Sequence, residues 1–262
     1  MAVNSKQRKS PQRKGKDFNT REKKAVKTEF FIDSLSALQE YDKHSPECVM
    51  YVSYRSGEAA KATSFRNELP IRSFEAIEEE LPPSFQKSNF VAKIQVSPLE
   101  ERVLLENMGK RSSDLIVVLD HITDPRNLGA IARTAAFFGV KNIVVPKDRQ
   151  VLLTDSAIST SQGAFSLGQL TIVTNLSSYL VKAKKLGYWV LGTDMNAGSF
   201  KEPSLAFEKT ILVLGSEEKG ISRLIQKHCD AMVTIPGAKK ALQSLNVSVA
   251  AGILLQHFSQ RP

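Results

Sequence analysis

Short apolar runs alternate with longer amphipathic segments through the second half of the chain. The clearest runs are 115–120 ("LIVVLD"), 142–146 ("NIVVP") and 210–215 ("TILVLG"). Continuous apolar runs of this length are typical of strands that are buried on both faces. Strands that alternate with helices indicate a mostly parallel sheet. We therefore predict an α/β fold for residues 114–262.

Weaker patterns extend this sheet. Strands are also predicted at "YWVLGT" and at 231–236 ("AMVTIP"), and a helix at "LSSYLVKAKKLG". Another helix is expected to begin near Asn127. The segment 244–258 ("SLNVSVAAGILLQHF") is apolar nearly all round, which predicts a buried helix.

Residues 28–96 consist of shorter segments. The stretches "ECVMYVSYR" and "NFVAKIQV" are predicted strands and "SFEAIEEEL" is a predicted helix, so this region is interpreted as a small α/β domain. Residues 97–113 are charged and end in a Gly-Lys-Arg-Ser-Ser run, which is typical of a linker.

The first 27 residues carry most of the net charge. They hold ten Lys or Arg against Asp17 and Glu22, which accounts for +8 of the protein's +9. A basic segment with few apolar residues cannot bury enough surface to fold alone, so 1–27 is expected to be a disordered arm. Contact with RNA phosphates is the favoured role. A solubilising tail and an organellar presequence are the alternatives.

Several classes of protein lack their signatures here. No G-x-G-x-x-G follows a strand and no G-x-x-x-x-G-K-[ST] occurs, which disfavours a nucleotide-dependent enzyme on a Rossmann sheet. The four histidines are scattered, and Cys48 and Cys229 have no metal-ligand spacing, so no metal is expected. No apolar run approaches the ~20 residues of a membrane span, and no secretory signal is expected. Together with the two cysteines, these features favour a cytoplasmic protein.

Two loop–helix junctions hold polar residues directly after predicted strands. In "DHITDPRNLGAIAR", Asn127 is a potential helix cap, Gly129 permits close backbone approach, and Arg133 lies inside an apolar helix. In "LVLGSEEKGIS", Gly215 follows the strand and Glu217 stands at the turn. Each of these residues also has an ordinary structural interpretation, as a cap, a turn glycine or an arginine that extends its head to solvent.

A third junction, "IPGAKKALQSLNVS", places Ser244, Asn246 and Ser248 at the start of the last helix. These residues could also be helix caps and nothing more. Ligands of open α/β sheets bind at the carboxyl ends of the strands, where the loops gather. The three junctions together are less easily explained as caps and turns than any one of them alone.

In this order the junctions resemble the three motifs of the SpoU family of RNA ribose 2′-O-methyltransferases, in the wider SPOUT class. "NLGAIAR" has the pattern Asn-x-Gly-x-x-x-Arg, "LVLGSEEKG" is similar to the glycine-bracketed Glu loop, and "SLNVSVAAG" closes the chain. The resemblance covers about 115–260. Residues 28–96 are similar, more weakly, to the small L30e-like substrate-binding domain of SpoU enzymes that act on ribosomal RNA.

The resemblance implies features that the residue patterns do not show. It implies a SPOUT-type sheet with a C-terminal trefoil knot, a homodimer that completes the active site, and S-adenosylmethionine as the cofactor. Ribosomal RNA is the favoured substrate, and tRNA, or RNA binding without catalysis, is the alternative. The catalytic residues that it implies are Arg133, Asn127, Glu217, Ser244 and Asn246. The cofactor-binding residues that it implies are Thr193, Gly192, Gly215, Gly220, Ile235 and Leu245.

In this family the residue at Arg133 activates the ribose hydroxyl. A guanidinium stays protonated and accepts no hydrogen bond. We therefore expect Arg133 to bind a substrate phosphate and orient the hydroxyl, with Glu217 as its partner in the resting state. Two departures from the family pattern bear on the cofactor loops. Glu218 stands where Gly is usual, and Lys239 and Lys240 lie in a third loop that is one residue longer.

Overall fold

The computed structural model describes residues 28–55, 65–148, 153–199, 207–237 and 244–259. The basic arm (1–27) lies outside the described residues, as do Lys239 and Lys240 of the third loop. The expectations for these segments stay predictions.

Residues 28–96 contain a three-stranded antiparallel sheet of order β1-β3-β2. The elements in chain order are β1 (Glu29–Ile32), α1 (Leu35–His44), β2 (Val49–Tyr54) and β3 (Phe90–Gln95). The strands predicted at "ECVMYVSYR" and "NFVAKIQV" are confirmed. The helix predicted at "SFEAIEEEL" is a short 3-10 helix, Glu75–Glu80, and its buried Ile77 packs in one cluster with Phe74 and Leu81, which flank it.

This small sheet packs directly against the second half of the chain. The Ser34 hydroxyl donates to Gln162 Oε1 at 2.8 Å. Gly163 has φ +88°, and a Cβ there would lie 2.9 Å from the carbonyl oxygen of Ala37. Buried apolar side chains from both halves form one continuous core.

Residues 97–113 contain helix α2 (Glu101–Gly109). Leu104 and Met108 are fully buried in the core of the second half of the chain. The linker expected over this segment is therefore not observed. Its charged side chains occupy the outer face of an amphipathic helix, and composition alone does not separate such a helix from a loop.

A six-stranded parallel sheet forms the centre of the second half, with the order β6-β5-β4-β8-β7-β9. Its elements and helices in chain order are β4 (Asp114–Asp120), α3 (Pro125–Phe137), β5 (Asn142–Pro146), α4 (Asp155–Ser161), β6 (Gln169–Val173), α5 (Leu176–Lys185), β7 (Trp189–Ser199), β8 (Lys209–Gly215), α6 (Arg223–Gln226), β9 (Ala231–Thr234) and α7 (Val247–Ser259). The predicted parallel α/β fold is confirmed.

Strand β4 lies in the interior of the sheet, and its apolar run is buried on both faces as predicted. The four residues 116–119 are fully buried. β8 pairs with β4 along its whole length, so that the last residues of the two strands, Asp120 and Gly215, are register partners. The loops that follow these two strands therefore start side by side at the carboxyl edge of the sheet.

Helix α7 begins at Val247, three residues after the predicted start at Ser244. One side of the helix is buried, but Val249 is 51% exposed and Ile253 36% exposed. The prediction of a helix is confirmed and the prediction of burial all round is wrong. An apolar side chain is not by itself a buried one, because much of any protein surface is apolar.

The described ranges contain neither a membrane span nor a metal centre. No helix there has the length and apolar character to cross a bilayer. No group of three His, Cys, Asp or Glu side chains in these ranges could hold a metal ion. Cys48 and Cys229 are free, and burial raises the pKa of both thiols, that of Cys229 to about 11. Both thiols therefore stay protonated at neutral pH.

Candidate active site

Helix α3 begins directly after an aspartate cap. The Asp124 carboxylate accepts the backbone N–H of Arg126 at 2.8 Å, and Pro125 occupies the first helical position, where an N–H is not needed. The prediction that Asn127 caps this helix is wrong. Pro125 fixes the start of the helix, so Asn127 falls on the third helical residue and its side chain is available for other contacts.

Two of the residues that the sequence singles out, Asn127 and Asn246, donate to one carboxylate oxygen of a third, Glu217. Glu217 Oε1 accepts the side-chain amide of Asn246 at 2.7 Å, that of Asn127 at 3.4 Å and the backbone N–H of Val247 at 3.3 Å. The Asn246 amide also donates to Asn127 Oδ1 at 3.2 Å. We call this group the Glu217 cluster. It joins the start of α3, the loop after β8 and the start of α7.

The start of α7 is fixed by the same asparagine. Asn246 Oδ1 accepts the backbone N–H of Ser248 at 2.9 Å and also its hydroxyl. Asn246 therefore caps α7 with its carbonyl while its amide holds the cluster. Ser244 precedes it, is exposed, and makes no hydrogen bond to the described residues.

The loop after β8 turns tightly, and two glycines allow the turn. Ser216 and Gly220 exchange two backbone hydrogen bonds, at 3.1 and 2.8 Å, and Gly220 has φ +64°. A Cβ on Gly215 would overlap the backbone of Gly220 and Ile221 and lie 2.5 Å from the Gly220 carbonyl oxygen. Glu218 does not have a positive φ, because Gly220 supplies the left-handed residue. The turn therefore accommodates Glu218 in place of the usual glycine.

Arg133 lies on the solvent side of α3. It shares an exposed stripe with Arg126 and Phe137, while the apolar residues around it in the sequence face the core. Among the described residues its side chain makes no ion pair or hydrogen bond. The expected resting pair with Glu217 is therefore wrong. An exposed guanidinium is solvated and needs no counter-charge, and Glu217 is held by amides instead.

The residues that the resemblance assigns to the cofactor lie on or after neighbouring strands of the sheet and before α7. They are Gly192 and Thr193 within β7, Gly215 at the end of β8, Gly220 in the loop that follows it, Ile235 directly after β9, and Leu245 just before α7. Gly192 and Thr193 stand opposite Met232 and Val233 in the β7–β9 ladder. A Cβ on Gly192 would lie 2.6 Å from Met232 Sδ and 2.7 Å from Cys229 Sγ, so these two side chains pack directly over the glycine.

The edge of the sheet near β9 has unused backbone groups. The backbones of Gly237 and Leu245 make no hydrogen bond to other residues in the part of the chain that the structure describes. Leu245 is also 47% exposed, and Ile235 is half-buried beside the core. Free backbone donors and acceptors next to apolar side chains are what a planar ring with polar edges requires. These residues therefore fit a nucleoside-type ligand.

The structure adds two residues to this edge that the sequence patterns did not single out. Asp120 ends β4 and is 2% exposed; its Oδ1 lies 2.7 Å from His121 Nδ1, and its Oδ2 accepts the backbone N–H of Ser222 at 2.7 Å. The signal in the sequence is a histidine directly after the aspartate that ends a buried strand. The spacing of the histidines along the chain, which bears on metal ligation, does not indicate this pair.

Known proteins share both the sequence and this arrangement of strands. The model of the SpoU rRNA Methylase family matches residues 114–256, which include all three junctions and the Glu217 cluster. The chain belongs to this family. The SpoU resemblance seen in the three motifs is thereby confirmed.

SpoU relatives match over most of their own length. The 23S rRNA (guanosine-2′-O-)-methyltransferase RlmB of Pseudomonas putida is 34% identical over 235 residues, which cover 86% of this chain and 93% of that protein. RlmB of Pseudomonas syringae pv. tomato is 33% identical over 232 residues, which cover 86% of this chain and 92% of that protein. The crystal structure of the SpoU methyltransferase AviRb from Streptomyces viridochromogenes, in complex with AdoMet, has a TM-score of 0.70 at 22% identity and covers 89% of this chain and 90% of that chain. This likeness confirms a SpoU methyltransferase fold.

Replacing Glu217 is expected to loosen the junctions that it joins. Glu217→Ala removes the oxygen that accepts three N–H groups, so the free energy of unfolding should fall by about 1–2 kcal/mol. Denaturant unfolding measures this change. Glu218→Ala is the matched control, because Glu218 is exposed and makes no hydrogen bond or ion pair with the described residues. Equal stability of the two variants would contradict a joining role for the Glu217 cluster.

Proposed function

We propose that the protein transfers the methyl group of S-adenosylmethionine to the 2′-hydroxyl of a ribose in ribosomal RNA. The observation that carries the proposal is the Glu217 cluster, in which the three SpoU junctions meet at the carboxyl edge of the sheet. Relatives named for 23S rRNA support ribosomal RNA as the substrate, since each matches 86% of this chain. A tRNA substrate, or RNA binding without catalysis, is less favoured for the same reason.

Arg133 is proposed to bind a substrate phosphate and to orient the ribose hydroxyl. Its exposed guanidinium, with no partner among the described residues, supports this role, because a planar fork of donors matches the oxygens of a phosphate. Asn127, Glu217 and Asn246 hold the loops around the ribose. Ser244, exposed just before Asn246, donates a hydrogen bond near the target.

S-adenosylmethionine supplies a methyl group on a sulfonium, which is already a good leaving group. The free backbone groups at Leu245 and the apolar cover of Ile235 support binding of its adenosine part. The chain's task is to align the hydroxyl with the methyl group and to exclude competing geometries. The residues proposed to hold the cofactor are Thr193, Gly192, Gly215, Gly220, Ile235 and Leu245.

The proposal includes a homodimer that uses the outer sides of α3 and α7. These two helices pack together, and their outer sides expose Phe137 (82%), Val249 (51%) and Ile253 (36%). Exposed apolar side chains on adjacent elements mark interaction surfaces. Arg133 lies on the same stripe of α3 as Phe137, so a partner on this surface would complete the site around Arg133.

The proposal also includes the trefoil knot and the L30e-like character of residues 28–96. After β7 the chain enters β8, between β4 and β7, and then returns to the outer strand β9. This crossing of strands supports a knot. The small antiparallel sheet at 28–96 supports an RNA-binding unit. A ribosomal RNA substrate and two protonated free thiols support a location in the cytoplasm.

Transfer of a labelled methyl group tests the proposal. The protein is incubated with methyl-labelled S-adenosylmethionine and with unmodified 23S rRNA or unmodified tRNA. We expect label on the rRNA, in dinucleotides that resist alkaline hydrolysis because the 2′-oxygen is blocked. If label appeared only on the tRNA, tRNA would replace ribosomal RNA as the proposed substrate. If the protein bound RNA but transferred no label, the proposed activity would be wrong and the protein would be an RNA-binding protein.

A further inference from the structure

The only tryptophan of the chain, Trp189, lies at the amino edge of the six-stranded sheet, the edge at which its strands begin. One face of its ring is covered by Phe207, with the ring centroids 4.1 Å apart and the planes inclined by 5°. Trp189 is nevertheless 47% exposed, so its other face is open to a ligand. The Thr210 hydroxyl donates to the Phe207 carbonyl at 3.1 Å, and Thr210 is the register partner of Trp189. The sheet therefore holds the stacked pair in place.

Positive charge is concentrated along this amino edge. Arg111 is neutralised there by Asp114 at 2.6 Å, and Lys184 by Asp230 at 2.5 Å. Glu208 is the one other carboxylate of the edge in the described ranges. Five further lysines at helix ends or strand starts have no carboxylate partner among the described residues: Lys110, Lys141, Lys185, Lys209 and Lys227. A surface with such an excess of cations attracts a polyanion.

The small domain does not supply such an excess. Residues 28–96 hold seven Lys or Arg against eleven Asp or Glu, whereas residues 97–262 hold nineteen against fourteen. Affinity for an RNA backbone comes from cations that neutralise phosphates and release their counterions. The second half of the chain and the basic arm therefore carry most of the charge that can bind RNA, and in the second half this charge lies along the amino edge.

A recess opens beside the stacked pair. Phe207 lines it together with Phe138 and Phe258, and Lys141 and Arg111 are on its wall. Its volume is about 560 Å³, and binding sites for small organic groups measure about 300–1,000 Å³. Lysines at helix ends also suit the helix dipole, but Lys141 directly precedes a strand. Aromatic faces beside cations are what a single strand of nucleic acid requires, because its bases stack and its phosphates pair with positive charge.

We propose that the amino edge, centred on Trp189, is a second contact surface for the RNA substrate; this inference rests on the proposed methyl-transfer function. An unpaired base stacks on the open face of Trp189, and neighbouring phosphates bind Lys141 and Lys185. The candidate active site lies at the opposite edge, so this surface adds affinity for RNA and takes no part in the chemistry. The strands between the two edges are roughly 20 Å long, a distance that a folded RNA covers.

The intrinsic fluorescence of the full chain tests the proposal, because Trp189 is the only tryptophan. Titration with a fragment of unmodified 23S rRNA should quench its emission as a base stacks on the indole. Trp189→Ala should weaken RNA binding about 10-fold, and Trp189→Phe, which keeps a ring on Phe207, should weaken it only a few-fold. Val181→Ala is the matched control, because Val181 is also exposed but lies within α5, and it should keep the wild-type affinity.

Kinetics and salt dependence separate RNA contact from a structural role. In single-turnover methyl transfer, Trp189→Ala should need about 10-fold more RNA for half-saturation and should reach the wild-type rate once RNA is saturating. A variant that was merely misfolded would not reach that rate. Lys141→Gln and Lys185→Gln should each reduce the slope of log affinity against log salt concentration by about 1, because each removes one phosphate contact.

Two results would overturn the second RNA surface and leave the proposed function intact. The first is methyl transfer to RNA with unchanged Trp189 emission and with wild-type affinity in Trp189→Ala. The second is a smaller oligomer of Trp189→Ala in light scattering, again without quenching by RNA, which would make this surface an interface between copies of the chain. If RNA bound and quenched Trp189 but received no methyl group, the proposed function would fail and the surface would stand. If neither RNA bound, both would fail.

Discussion

Arg133→Ala is expected to lower the rate of methyl transfer about 1000-fold and to change the free energy of unfolding by less than about 0.5 kcal/mol. The folded chain depends little on this side chain, since it is exposed and makes no hydrogen bond or ion pair with the described residues. The reaction does depend on it, because a donor that orients the phosphate and hydroxyl acts mainly in the transition state. Single-turnover kinetics and denaturant unfolding measure the two quantities.

Arg126→Ala is the matched control for this variant. Arg126 lies on the same exposed stripe of α3, but its guanidinium is already held by Asp124, with Nη2–Oδ2 at 2.9 Å and Nε–Oδ1 at 3.2 Å. Its removal should change the rate only a few-fold. A higher KM for RNA with unchanged kcat in Arg133→Ala would assign Arg133 to ground-state binding. Full turnover with normal binding of both ligands would remove Arg133 from the mechanism.

The central strands were predictable because their apolar runs are continuous. In β4, β5 and β8 the residues between the strand ends are mostly Ile, Leu and Val, and short continuous runs of this kind are typical of strands covered on both faces by helices. Helix α2 was not predictable in the same way. Leu104 and Met108 are its two buried residues, and two apolar side chains among charged ones fit a linker equally well.

The meeting of the three junctions was predictable from the order of strands and loops, but the partners within it were not. Asn127 and Glu217 both follow strands that end at the same edge, and they do meet. Arg133 was assigned to Glu217 from the cost of burying a charge, whereas six residues at about 100° each place it about 120° around α3 from Asn127. The phase of the helix, not its apolar composition, decides that Arg133 faces solvent.

The Asp120–His121 pair was not predictable from the sequence, for a different reason. The sequence places a histidine after a strand, but it does not show that this histidine adopts φ +63° or that the aspartate before it is buried. Asp120 is covered by β8, whose last residue is its register partner and lies almost one hundred positions later in the chain. Contacts between distant segments of this kind have no local signal.

Gly215→Ala is expected to lower the free energy of unfolding by about 3 kcal/mol or more. The added Cβ would overlap backbone atoms of Gly220 and Ile221, which cannot move aside as a flexible side chain can. The loop is also tied on both sides, by the two hydrogen bonds between Ser216 and Gly220 and by the bond from Ser222 to Asp120. Denaturant unfolding measures the loss, and binding of S-adenosylmethionine should be lost with it.

Two other glycine variants distinguish the two ways in which an added methyl group can destabilise the protein, by steric overlap and by an unfavourable positive φ. Gly220→Ala meets no atom within 4 Å but has φ +64°, so it should lower the free energy of unfolding by only about 1 kcal/mol. Gly237→Ala has open space and no positive φ, so its stability should equal that of the wild type. If Gly215→Ala lost no more stability than Gly220→Ala, the loop after β8 would be free to shift. The Glu217 cluster, which this loop carries, could then not hold a fixed geometry for methyl transfer.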